Sequence, residues 1–105
     1  MSDMATADFI ARLVELQSAN IELIRMKNAD YANDGDPFGN FTLCEEMGLA
    51  PTEVGMMVRM TDKFQRIANL LTRDPAVTEE TIYDALSDLA NYALILRVYL
   101  EQKRK

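Results

Sequence analysis

The chain has 105 residues, 49% of them hydrophobic, and its 17 acidic and 11 basic side chains give a formal charge of −6. That length fits one domain that buries roughly two thirds of its unfolded surface, and the acidity excludes a broad basic surface of the kind that binds nucleic acid non-specifically. With one cysteine, Cys44, and no histidine, an intrachain disulfide, a Cys/His zinc site and histidine acid–base catalysis are excluded, which leaves carboxylates, Lys, Arg, Tyr, Ser and Thr for any chemistry.

Met1 to Asp8 is polar and acidic, unlike the basic and then apolar start of a signal peptide. The longest nearly apolar stretch, Leu89 to Leu100, is interrupted by Asn91 and Arg97 and is too short to span a bilayer, so the expectation is a soluble cytoplasmic protein.

From Thr6 to Tyr31, Phe9, Ile10, Leu13, Val14, Leu16, Ile21, Leu23 and Ile24 recur at three- and four-residue spacing, which predicts a first long helix. Thr6 serves as its N-cap and Asp8 suits its first turn. Glu15 and Glu22, seven apart, share one line and read as solvated face residues.

Between Ala32 and Pro51 turn-forming residues concentrate in Asn33-Asp34-Gly35-Asp36-Pro37 and Phe38-Gly39-Asn40-Phe41. This predicts a long loop with a short helical turn at Thr42 to Met47, and its two aromatics point to a loop that folds back onto the helices. Asp34, Asp36, Gly39 and Glu45 match places one, three, six and twelve of a calcium loop, but Phe38 fills a ligand place and Pro37 stiffens the turn, so ordinary turn chemistry is the better reading.

Thr52 opens a second helix that runs to about Thr72, with Met57, Met60, Thr61, Phe64, Ala68 and Leu71 as its expected buried face. Its other face carries Gly55, Arg59, Asp62, Lys63, Arg66 and Asn69, with Asp62 placed to pair with Arg66. After a linker, Arg73 to Val77, Thr78 is the expected N-cap of a third helix, and Glu79 and Glu80 suit the positive end of its dipole.

Along that helix a turn of about 100° per residue puts Glu80, Asp84, Asp88 and Asn91 on one stripe, opposite Ile82, Ala85, Leu89, Ala93 and Leu96. Like charges at i, i+4 repel, so the acidic stripe requires a cation, whether the basic stripe of the second helix or a metal. From Leu89 onward the helix is apolar nearly all round, since Leu94, Ile95 and Val98 lie on the stripe side. Two other helices can hardly cover it, which predicts a homodimer or higher oligomer that completes a helical bundle. The expected fold is therefore all-α: one domain, 1–105, of three main helices with a long loop between the first and second.

Lys27-Asn28-Ala29-Asp30-Tyr31 with Asp36 to Phe41, then Arg59 to Leu70, then Glu80 to Tyr92, resemble in order and spacing the nucleotide modification associated domain 1 family. Its members are small helical proteins common in bacteriophages, and the resemblance implies a role in nucleotide or DNA modification, in the cytoplasm of an infected cell. It implies ligand contacts from Lys27, Asp30, Tyr31, Phe38, Asn40, Arg59, Asp62, Lys63, Arg66 and Asn91. A more distant similarity is to the MazG-like all-α nucleotide pyrophosphohydrolases, in which acidic pairs on two neighbouring helices surround magnesium. Glu80, Asp84 and Asp88 look like one half of that arrangement. The other half, a Glu-x-x-Glu pair on an early helix, is missing; Glu15 and Glu22 are too far apart, which leaves the loop acids Glu45 and Glu46.

Two functional expectations result. In the first, Arg59, Lys63 and Arg66 contact the phosphates of a nucleotide, Tyr31 or Phe38 stacks on its base, and Glu80, Asp84 and Asp88 hold Mg²⁺, orient the cations or activate a water. The second is a small acidic helical protein that binds a host protein, for instance to block a defence system, with the two stripes as salt bridges between helices.

Overall fold

A computed structural model describes residues 3–31, 36–73 and 75–104, with the side chains of 28–31 and 75–80 outside the description. Its elements are all helical: α1 (Thr6–Tyr31), α2 (Leu43–Glu46), α3 (Thr52–Leu70) and α4 (Pro75–Lys103). None of the described helices is long and apolar enough to cross a membrane.

The last helix starts three residues before the expected cap. Proline is tolerated at a first helical position, where its missing N–H would be unpaired anyway and its fixed φ already suits the helix, so Pro75 opens α4 rather than closing a linker. The expected cap Thr78 and first-turn acids Glu79 and Glu80 are thus inside α4, with side chains outside the described residues.

The turn expected at Thr42 to Met47 is α2, and it ends in a Schellman motif. Gly48 takes a left-handed φ of 75°, Gly48 N–H donates to Glu45 O at 3.0 Å and Leu49 N–H donates to Cys44 O at 2.9 Å. Glu45 then reaches forward, its Oε1 accepting from Thr52 N at 3.0 Å, which satisfies a donor at the start of α3. Thr42 Oγ1 donates to Glu46 Oε1 at 3.3 Å. Glu45 is therefore committed to joining α2 to α3, and Glu46 to the start of α2. Asp36 likewise serves its own turn, its Oδ1 accepting from Phe38 N at 2.9 Å; Asp34 lies outside the described residues.

The loop returns along α4 through its aromatics. Phe38 meets Tyr99 edge-on with ring centroids 5.4 Å apart, and Phe41 meets Tyr92 edge-on at 6.1 Å. Residues three apart in the loop thus match residues two helical turns apart on α4.

Helices α3 and α4 form an antiparallel hairpin, pinned where Lys103 near the end of α4 donates to Glu53 at the start of α3 at 2.6 Å. Met56 and Ile67 of α3 and Ala85 and Tyr99 of α4 are buried here, with Thr52 fully buried beside them. This corrects the face expected for α3. Met57, Phe64 and Leu71 are exposed, as are Thr61 and Ala68, whereas Lys63 and Arg59 from the opposite, charged face are half-buried. The helix carries two apolar lines, and the one with Met56 and Ile67 packs because Lys63 and Arg59 can lay aliphatic stems along α4 while their charges find partners. Ala93, expected in the core, is also exposed.

Helix α1 contributes little to this core. Residues 6–19 are exposed throughout, and only Asn20, Leu23 and Ile24 of its described side chains are partly covered. The radius of gyration is 16.1 Å, against about 13 Å for a compact chain of this length.

Two predictions follow from the hairpin. A methyl group at Gly55 would stand 2.5 Å from Cys44 Sγ, so Gly55→Ala is expected to cost about 1–3 kcal/mol in urea denaturation, and Cys44→Ala in the same chain should restore most of it. The hydrogen bond to Lys103 holds the Glu53 carboxyl below its usual value, and the same bond raises Lys103. Their mutual stabilisation is present across neutral pH, is lost as pH falls through the lowered value of Glu53, and is lost again as pH rises through the raised value of Lys103. Melting temperatures of Glu53→Gln should therefore fall below those of the parent at neutral pH and converge with them at both extremes.

Candidate functional site

A pocket of about 410 Å³ opens where α1, the loop and the α3–α4 hairpin meet, lined by Ile24, Lys27, Asn40, Phe41, Arg59, Asp88, Asn91, Tyr92 and Ile95. One line of α4 supplies much of it. Asp84, Asp88, Asn91 and Ile95 succeed one another at helical spacing and run from solvent inward, with Asp84 exposed, Asp88 half-buried and Asn91 only 6% exposed.

Asp88 is engaged from two sides: its Oδ2 lies 3.0 Å from Lys63 Nζ and its Oδ1 lies 3.8 Å from Lys27 Nζ. The acidic stripe of α4 thus meets one cation of α3 and one of α1. Across the pocket, Arg59 donates from Nη2 to Asn40 O at 3.1 Å and holds its guanidinium 4.9 Å above the Phe41 ring, which fixes the loop to α3.

Among the described residues two buried polar side chains are left unsatisfied, Thr52 at the start of α3 and Asn91, and of these Asn91 lies at the pocket. Its side chain is buried and lines the pocket, yet Oδ1 has no hydrogen-bond partner. Leaving a buried amide oxygen unpaired costs about 1–3 kcal/mol, so a fold that retains one at a pocket wall points to an external donor.

The pocket gathers Lys27, Asn40, Arg59, Asp88 and Asn91 from the residues the sequence offered, with Lys63 behind Asp88. Asp84 lies in an adjoining cleft with Lys27, Ser87 and Asp88. Asp62 and Arg66 are elsewhere: they line a shallow depression with Gln65, Asn69 and Arg73, and no ion pair joins them among the described residues. Phe38 is on the far side of Ile24 and Ile95, in an apolar groove with Ile21, Pro37, Leu94 and Val98, so those two isoleucines wall both spaces. The side chains of Asp30, Tyr31 and Glu80 lie outside the described residues. Among the described residues no three acids stand close enough to share a metal ion.

Sequence reasoning passed over Phe41 and Tyr92, the aromatics that line the pocket. The available signal was their position, each directly after a polar residue, Asn40 or Asn91, that also lines it.

Compared with models of known protein families, with curated proteins and with solved structures, the chain matches none.

Asn91→Leu tests whether the amide serves the fold or a guest. Because the oxygen is unsatisfied, this near-isosteric change is expected to leave urea stability unchanged or raise it by about 1 kcal/mol.

Proposed function

We propose that the pocket binds a nucleotide and that the chain serves phage-type nucleotide metabolism in the cytoplasm of an infected cell. The observation that carries this reading is Asn91, a buried amide whose oxygen has no partner, in a pocket that combines cations with aromatic rings. The volume lies within the roughly 300–1,000 Å³ usual for small-molecule sites. The resemblance to the nucleotide modification associated domain 1 family points the same way.

On this reading Lys27 and Arg59, the cations that line the pocket, face the phosphates, with Asp88 as the carboxylate that positions Lys27 and is itself held by Lys63 from behind. Phe41 and Tyr92 bound the base, and Asn91 reads an N–H or O–H of the base or sugar. Asp88, already held by two cations, does not fit a resident magnesium ion. Asp84 has no such partner among the described residues and is the carboxylate open to a magnesium ion bound to the nucleotide phosphates. The chain works as a homo-oligomer, since Leu94 and Val98 of α4 remain about half exposed.

A second reading, an interaction protein for a host target, is favoured by the exposed Met57, Phe64 and Leu71 line of α3. It predicts that Phe64→Asp abolishes capture of the target while leaving nucleotide binding intact.

Melting temperature in the presence of nucleoside mono-, di- and triphosphates and cyclic nucleotides, with and without magnesium, tests the main reading. At a hundredfold excess over Kd the right ligand adds about 2.7 kcal/mol, a rise of roughly 10 °C or more for a domain of this size. Lys63→Ala and Asn91→Leu should abolish the rise. No rise across the panel overturns the proposal.

A further inference from the structure

The first half of α1 is an amphipathic helix that is exposed throughout and is covered by no other element among the described residues. Phe9, Ile10, Leu13, Val14 and Leu16 are between 40% and 56% exposed, while a helix of that length standing alone is marginal in water. Charge is segregated around it. Asp8, Arg12, Glu15 and Glu22 follow one line of the helix, where Arg12 and Glu15 pair at 2.9 Å, and the broad opposite face from Thr6 to Ile24 carries no charge. Such a pattern marks a helix covered on one side.

The area to be covered is large. The chain exposes 8143 Å², about 2,000 Å² more than a compact monomer of 11.9 kDa, and obligate homodimers bury about 1,000–2,500 Å² per subunit. A docking place for the overhang exists at the other end of the same helix. There Ile21 of α1 with Leu94 and Val98 of α4 borders an apolar groove of about 250 Å³. Ile10, Val14, Gln17 and Ile21 form one continuous line from overhang to groove.

We infer that two copies of this chain pair through α1, antiparallel about a two-fold axis near Gln17, so that the overhang of each fills the Ile21–Leu94–Val98 groove of the other. A two-fold axis at the middle of that line brings Ile10 of one copy opposite Ile24 of the other and Leu13 opposite Ile21, and it does so twice. The charged line faces solvent in both copies. Leu94 and Val98 lie at the edge of this contact, beside Phe9 and Leu13 of the second copy.

The test places a cysteine at the axis. In a Cys44→Ser background, Gln17→Cys should be joined to its counterpart by mild oxidation or a short bis-maleimide in most molecules, whereas Glu15→Cys, on the charged line, should stay unjoined. Light scattering of the unaltered chain should give an even number of subunits. A mass of one chain overturns the inference, as does equal joining of Gln17→Cys and Glu15→Cys. A third overturning result is an oligomer that Phe64→Asp dissociates and Val14→Asp leaves whole, which would place the contact on α3.

Discussion

Asp88 stands where the three long helices come within reach of one another, and it receives an ammonium group from each of the other two: Lys63 of α3 at 3.0 Å and Lys27 of α1 at 3.8 Å. Helix α1 has few other anchors on the rest of the chain, so its direction depends on this carboxylate and on Leu23 and Ile24 beside it. One acid therefore serves fold and pocket together. It ties α1 to the hairpin through Lys27, and it stands between Lys27, which lines the cavity, and Lys63, which lies behind it. Lys63 and Asp88 are only 30% and 23% exposed, so salt screens this pair less than it screens pairs on the open surface.

Much of this was legible in the sequence because it rests on periodicity. The four-residue spacing of Asp84 and Asp88 put them on one line with Asn91, and the turn residues around Gly39 marked the loop. What periodicity could not decide was which of two apolar lines on α3 would meet α4. Periodicity matches the basic stripe of α3 to the acidic stripe of the last helix, yet it offers Met57 and Phe64 on the opposite side as core. Long basic side chains, however, are amphipathic and settle at the edge of a packed face when a counter-ion or ring awaits them. That partner was Asp88 for Lys63 and Phe41 for Arg59, both distant in sequence. Likewise Pro75 read as a linker residue because proline ends helices more visibly than it begins them.

The loop illustrates the same limit. Its acids invited a reading as metal ligands, yet Asp36 and Glu45 each accept a backbone N–H that the local turn leaves unpaired. A short polar side chain next to a turn is first a substitute for missing backbone partners. The aromatics were the more informative residues: spaced to match Tyr92 and Tyr99, Phe41 and Phe38 hold the segment against α4, and Phe41 gives the pocket one of its walls.

Ile24 and Ile95 face the cation-bordered cavity on one side and the apolar groove on the other. A partition shared by two spaces transmits thermodynamic linkage. If filling either space steadies these two side chains, occupancy of one raises affinity at the other by the same factor in both directions. With a ligand in the cavity and a second copy at the groove, as proposed above, protein concentration becomes a variable of ligand retention: dilution that separates subunits would also loosen the guest, and a tightly held guest would keep subunits together far below their ordinary dissociation range.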